Sequence, residues 1–267
     1  MIVVGITWTG DYDANRQRDF TATHTKEFPN SGGAPKFINV IKNEIMKMIN
    51  SGYRTDRVNN TLSGASLGSR FTLYALFQKP QLFNRYIAWG FSGTDEIFNM
   101  EKTFSENNHD LNAKLFISTN EYEEEIYDVS SFKKFIEQIK SRNYNGFEID
   151  SLVIKKMGHS SEGPYAEACG LEFLFRQPDI AVDTMLLQQY AGHYKRDDEI
   201  ITVTRFGSRI YINIPDGKVK LYAKTIDSFY GKGTGGSIIQ FVTDSTSKVT
   251  GCKIILDNAT IPYQKVD

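Results

Sequence analysis

The chain has 267 residues, 40% hydrophobic and 24% charged, with a formal net charge of −1. That length holds one large domain or a medium domain plus a small one, and the near-neutral balance excludes the strong basic field of a nucleic-acid binder, leaving a small molecule as the expected partner. No apolar run reaches the ~20 residues that span a bilayer, and MIVVGITWTGDYD lacks the basic-then-apolar pattern of a signal peptide.

The first ~180 residues alternate short β-branched runs with longer amphipathic segments, the pattern of an α/β sheet. Ile2 to Ile6 is the first predicted strand. His24 follows in the polar stretch FTATHTKEF, where it is a candidate to line a substrate site. Phe37, Val40, Ile41, Ile45 and Met48 recur at helical spacing, with Pro35 at the start, where its missing N–H costs nothing, and Gly52 just past the end. Further strands are predicted at Asn60 to Ser63, Arg85 to Ala88, Lys114 to Ser118 and Ile149 to Ile154. Phe132, Phe135, Ile136 and Ile139 form a second apolar stripe. After Phe175, RQPDIAVD reads as a linker. Beyond it ITVTRF, RIYINI, VKLYA, SIIQFV and CKIIL recur at roughly ten-residue spacing with turn residues between them, a small all-β domain of meander or barrel type. The expected division is 1–178 and 185–267. Cys169 and Cys252 show no CxxC or Cys/His spacing, so neither a disulfide framework nor a metal site is suggested.

Gly64, Ser66 and Gly68 stand in G-x-S-x-G spacing between a predicted strand and a predicted helix, the context of a nucleophile elbow. On such a turn Ser66 is exposed, and the free N–H of Leu67 at the helix start can stabilise an oxyanion. The alternative is a glycine-containing strand-to-helix turn without chemistry. Serine needs an imidazole to take its proton and a carboxylate to orient that imidazole, in the chain order serine, acid, histidine. Of the four histidines, His159 in KKMGHSSEGPY lies beyond the last α/β strand and suits the base, while His109 and His193 read as loop and surface residues. Glu121, Glu123, Glu124, Glu125 and Asp128 all compete for the acid, and a carboxylate run at a helix start is usually a solvated face.

The first ~175 residues resemble the esterase family of the α/β-hydrolases that includes esterase D and the siderophore esterases, on the segments VVGI, RQRDFTATH, SGGAPKF, TLSGASLG, LYALFQKPQLFNRYIA and MGHSSEGP. The resemblance implies a serine hydrolase that cleaves carboxylic esters through an acyl-enzyme without a cofactor, with Ser66 as nucleophile and His159 as base. NEYE resembles the family's GExE, which implies Glu123 as the acid, with Glu121 second. The chain departs from the family in reading GASLGS for GHSLGG, with Ala65 and Ser69 at the differing positions, and WGFSGTD for SPSLWWD, where Trp89 is expected to line the acyl pocket. The C-terminal part resembles a small lipocalin-like β-domain, whose aromatics Tyr190, Tyr194, Tyr211, Tyr222, Phe229 and Phe241 read as core. Acyl transfer to an alcohol, or a non-catalytic binding protein that keeps the elbow as architecture, are the competing readings. In the family pattern the second oxyanion N–H comes from a loop that precedes the VVGI strand. The resemblance therefore implies a chain short at its N-terminus, with IVVGI unpaired or paired directly to TLS. Export is then expected, and a cytoplasmic location if the chain is complete.

Overall fold

The computed structural model describes residues 1–91, 94–125, 129–214, 217–232 and 235–266, and not the side chains of Glu124, Glu125, Val129 and Ile214. The chain divides into two compact units, Met1–Arg176 and Gln177–Asp267.

In the first unit, α1 (Tyr12–Phe20) and the segment α2 (Ala34–Val40), π turn (Ile41–Ile45) and α3 (Met46–Gly52) precede the sheet. Pro35 opens α2 as expected, and Phe37, Ile38 and Ile41 are buried. The wider π turn shifts the helical face, so Met48, expected on the apolar stripe, is exposed. The sheet runs β1 (Thr61–Ala65), β2 (Arg85–Trp89), β3 (Asp110–Asn120) and β4 (Asn145–Ile154), in that order. Each neighbouring pair is parallel. Parallel strands need crossovers, and α4 (Leu67–Gln78), α5 (Asp95–Ser105) and α6 (Val129–Ser141) supply them. Alternate strand residues serve opposite faces. Tyr86, Ala88, Leu115 and Ile117 enter the larger core with Phe71 and Phe135, whereas Ile87 and Phe116 meet Phe173 and Leu174 of α7 (Gly163–Leu174).

The predicted strand at Ile2 to Ile6 is a correction: residues 1–7 form no strand. An extended segment becomes a strand only when a neighbour takes up its backbone groups, and β1 pairs with β2 alone among the described strands. The apolar side chains of Ile2, Val3, Val4 and Ile6 are exposed. The expected alternative of IVVGI pairing with TLS is likewise not observed. Helix α1 has only weak apolar periodicity, so spacing alone does not mark it as a helix.

In the second unit, α8 (Thr184–Tyr190) is capped by the Asp183 carboxylate, which accepts from Met185 N–H at 2.7 Å. Eight strands follow: β5 (Gly192–Arg196), β6 (Glu199–Phe206), β7 (Arg209–Ile214), β8 (Gly217–Ala223), β9 (Ser228–Gly231), β10 (Ile238–Thr243), β11 (Val249–Leu256) and β12 (Ala259–Lys265). Consecutive strands pair antiparallel, and β12 pairs with β5 to close the barrel. This is the all-β fold expected from the lipocalin-like resemblance, with β5, β9 and β12 added to the strands the pattern predicted. Tyr190 stacks on Phe241 at 4.1 Å between ring centroids, and with Tyr194 and Phe229 they fill the barrel. Tyr211 and Tyr222, expected in the core, are half-buried instead. Their neighbours Ile210, Ile212 and Leu221 are buried, and strand alternation turns the tyrosines outward. Residues 177–183, read as a linker, join the barrel: Ile180 N–H donates to Ala223 O at 3.0 Å, and Asp179 pairs with Arg209 at 2.6 Å. No helix among the described residues is long and apolar enough to cross a membrane.

Candidate active site

The site assembles where the four parallel strands end, because each strand's carboxyl end delivers one loop to the same edge of the sheet. From β1 comes Ser66, with φ 57° and ψ −118°, immediately before α4. A non-glycine residue in that region is strained, and such strain persists where the surroundings over-determine it. Here the main chain is held on both sides. Ser66 N–H donates to Trp89 O at 3.0 Å, and Ser66 O accepts from Ser69 N–H at 2.9 Å and Ser69 Oγ at 2.8 Å. Ser69, one of the departures from the family pattern, is thus buried with its hydroxyl satisfied. Gly64 is required by close approach, since a Cβ there would run into the Gly68 carbonyl and lie 2.6 Å from Thr72 Oγ1. Leu67 is the first residue of α4, so its N–H has no acceptor within the helix.

From β4 comes the loop that carries His159. Its Nδ1 lies 2.6 Å from Glu123 Oε1. Glu123 stands in the 3₁₀ turn Glu121–Glu125 that follows β3, and it is buried while the imidazole is half-exposed. Glu121, the second candidate acid, is occupied elsewhere: its carboxylate accepts from Lys156 N–H and so ties the His159 loop to the 3₁₀ turn. Asp128 lies outside the described residues, as do the side chains of Glu124 and Glu125.

Two further residues complete the cluster, and sequence reasoning passed over both. Asn120, the last residue of β3, donates from Nδ2 to Glu123 Oε1 at 3.0 Å and to Glu162 Oε1 at 3.1 Å, while its Oδ1 accepts from Tyr122 N–H. Glu162 immediately precedes α7, is fully buried, and places Oε1 3.8 Å from His159 Nδ1. Burial, with the nearby Glu123 carboxylate adding to it, raises the Glu162 pKa against the opposing pull of Asn120 and His159. The position three residues after His159 is the one signal that could have marked Glu162. Nothing in the sequence distinguishes Asn120 from other asparagines.

From β2 comes the stretch that joins the two halves. Trp89 O holds Ser66 N–H, and at the next residue, Gly90, a Cβ would stand 3.0 Å from His159 Cε1 and 3.2 Å from Glu162 Oε1. Gly90 has φ +61° and no side chain, which lets the imidazole lie against the strand end. Ser66 and His159 therefore flank two consecutive residues of one segment. Trp89 itself turns toward α7, where its indole N–H donates to Glu167 Oε1 at 2.9 Å and its ring lies against Gly163. His24 is exposed, with its main chain packed on Gly32, and none of the described contacts ties it to Ser66 or His159.

A family model described as Putative esterase matches residues 1–138, more than half of the chain. The ferri-bacillibactin esterase BesA of Bacillus subtilis is 25% identical over 194 residues, 64% of this chain and 66% of that protein, so the match spans slightly less than two thirds of its length. Among solved structures, the BES protein from Bacillus cereus superposes with a TM-score of 0.56 at 23% identity, covering 64% of this chain and 67% of that one. An IroE-like serine hydrolase from Shewanella oneidensis gives 0.55 at 23% identity, with 67% and 60% covered. These structures share the fold. On the family match, the chain belongs to the esterase family of the α/β-hydrolases.

Proposed function

We propose that this protein is a serine hydrolase that cleaves carboxylic esters through an acyl-enzyme, with Ser66 as nucleophile, His159 as base and Glu123 as the acid that orients it. The observation that carries the reading is the 2.6 Å pair of Glu123 and His159 placed beside Gly90, one residue from the carbonyl that holds the strained Ser66 turn. With Nδ1 engaged by Glu123, the imidazole has Nε2 free to accept the Ser66 proton, the division of labour a triad requires. The hydroxyl–imidazole hydrogen bond is not among those of the described residues, and such contacts commonly tighten only when substrate binds.

In the first half-reaction Ser66 Oγ attacks the ester carbonyl carbon as His159 takes its proton. The negative oxygen is held by the Leu67 N–H at the start of α4. The tetrahedral species collapses, and the alcohol leaves with the proton from His159. Water then repeats the sequence on the acyl-serine, releasing the carboxylic acid and restoring Ser66.

The substrate class is carboxylic esters of small molecules. Siderophore esters head the candidates, because the names of two relatives, the ferri-bacillibactin esterase and the siderophore hydrolase EstA from Aspergillus nidulans, print that class. The test is covalent labelling by a fluorophosphonate, followed by peptide mapping. Label on the peptide containing Ser66, lost in Ser66→Ala, is the expected result. Equal labelling of the two proteins moves the nucleophile elsewhere.

A further inference from the structure

The Glu123–His159 pair has a third member that a triad does not call for. Glu162 lies beside the pair, and its Oε1 shares the single Asn120 Nδ2 group with Glu123 Oε1. Both carboxyls are buried, Glu162 completely. Two carboxylate charges that share one neutral donor in a buried site repel strongly, and such pairs hold a proton between them.

The surroundings assign that proton. Glu123 has the 2.6 Å contact with His159 Nδ1, whereas Glu162 stands at 3.8 Å from the same atom, beyond hydrogen-bond distance. Glu162 Oε2 is buried and has no hydrogen-bond partner among the described residues. An anionic oxygen left in that state forfeits its solvation, while a neutral carboxyl forfeits far less. The charged groups that act on Glu162 are His159 from the loop after β4 and Glu123 from the turn after β3, and burial is the largest influence of all.

We propose that Glu162 is a reserve positioning residue: it rests as a neutral acid beside the Glu123–His159 pair, and it ionises and takes over His159 Nδ1 when Glu123 loses its charge. This rests on reading Glu123 and His159 as part of the hydrolase site. The physical basis is that the two carboxyls hold one negative charge between them. Removing the charge at Glu123 removes the repulsion that keeps Glu162 neutral. Closing the 3.8 Å gap then needs only side-chain adjustment around the Asn120 donor. Asn120 is the hinge of the exchange, since it faces both oxygens.

The experiment is a double-mutant cycle on Glu123→Gln and Glu162→Gln, read by proton NMR titration of the His159 imidazole, with His159→Gln supplying the assignment. A carboxylate in contact with an imidazole raises its titration midpoint. The Glu162→Gln midpoint should match that of the parent protein, because a neutral group is exchanged for a neutral group. The Glu123→Gln midpoint should fall, and that of the double variant should fall further by ~0.5 unit or more. Ester turnover should follow the same order, with loss of Glu162 costing at least ~10-fold more in the Glu123→Gln background than in the parent. Equal midpoints in Glu123→Gln and the double variant overturn the reserve role, and a Glu162→Gln midpoint as low as that of Glu123→Gln overturns the neutral state. If Glu123→Gln does not fold, Glu123→Ala replaces it in the cycle, and the Glu162→Gln titration alone still decides the neutral state. The titration needs no turnover, so a failure here is distinct from loss of the Ser66 reading, which fluorophosphonate labelling decides.

Discussion

In the Met1–Arg176 unit, carboxyls and amides are buried at the ends of an open parallel sheet, whereas in the Gln177–Asp267 unit a closed barrel buries apolar side chains and tyrosines. Among the described residues, every side chain classed as buried and polar or charged belongs to the first unit, including Asn120, Glu123 and Glu162. Of the barrel's buried tyrosines, Tyr190 and Tyr194 satisfy their hydroxyls on main-chain carbonyls, Tyr194 on Tyr190 O at 2.8 Å, and Tyr263 donates to the exposed Glu199 carboxylate at 2.8 Å. Burying a polar group costs ~1–3 kcal/mol unless it is paired, so a cluster of such groups marks the place where a fold gives up stability for chemistry. Among the described residues the barrel shows no such cluster. The difference agrees with placing the proposed activity in the first unit.

The sharpest way to break this contrast is to remove the proposed chemistry without touching the fold. Ser66→Ala and His159→Ala should each lower hydrolysis of a chromogenic acyl ester by ~1,000-fold or more, with far-ultraviolet circular dichroism and Tm close to the parent's. Retained turnover in either variant would place the reaction outside the elbow. Next in size is Glu123→Gln, expected to cost ~10- to 100-fold, less than the loss of a sole acid because Glu162 stands behind it. Glu121→Gln should cost far less, since that carboxylate holds Lys156 N–H rather than the imidazole. The reverse ranking would show that the acid was wrongly chosen from the carboxylate run.

On the barrel side, Phe241→Ala opens a cavity beside Tyr190 and should cost about 3–5 kcal/mol in the stability of that unit. We propose that the two units fold separately. Turnover of Phe241→Ala should then stay near the parent value while a lower-temperature transition separates in calorimetry. A single shifted transition with lost activity would show a shared core.

A smaller effect follows from Glu162. Its pKa is higher folded than unfolded, so the folded state binds the proton more tightly. The parent protein therefore loses stability as pH rises from the ordinary glutamate value toward the folded one, and Glu162→Gln escapes that loss. Thermal melts of the two should converge near pH 4 and diverge toward pH 7, with the variant the more stable. Divergence in the opposite sense would mean that Glu162 is ionised in the fold. Smallest of all, burial pushes the Cys252 thiol up to about 12, so iodoacetamide at pH 8 should leave it unmodified until the barrel unfolds.

Much of this was legible in the sequence, and the gaps have physical causes. The G-x-S-x-G spacing located the turn at Ser66, because a strained strand-to-helix junction needs small neighbours at Gly64 and Gly68 whatever the rest of the chain does. The four sheet strands were read from short β-branched runs. Ile2 to Ile6 has the same composition and forms no strand, since pairing depends on a neighbour that local pattern cannot report. Met48 was misplaced because a π turn is invisible to a search at 3.6-residue spacing. Aromatic content alone does not separate Tyr211 and Tyr222 from the core tyrosines, because strand phase, set by the buried Ile210, Ile212 and Leu221, decides which face each ring takes. Asn120 and Glu162 were missed for a different reason. Their roles exist only once the ends of β3 and β4 meet, and residue type alone does not distinguish a buried glutamate from a solvated one.

The measurement that bears most directly on the central claim is the trapping of the acyl-enzyme. Rapid quench of the parent protein with a chromogenic ester should give a burst of alcohol stoichiometric with enzyme, and intact mass should rise by one acyl group. Proteolysis should place that group on the peptide containing Ser66, and Ser66→Ala should show neither burst nor adduct. A parent protein that hydrolyses the ester with no acyl group on Ser66 under acid quench would contradict the account.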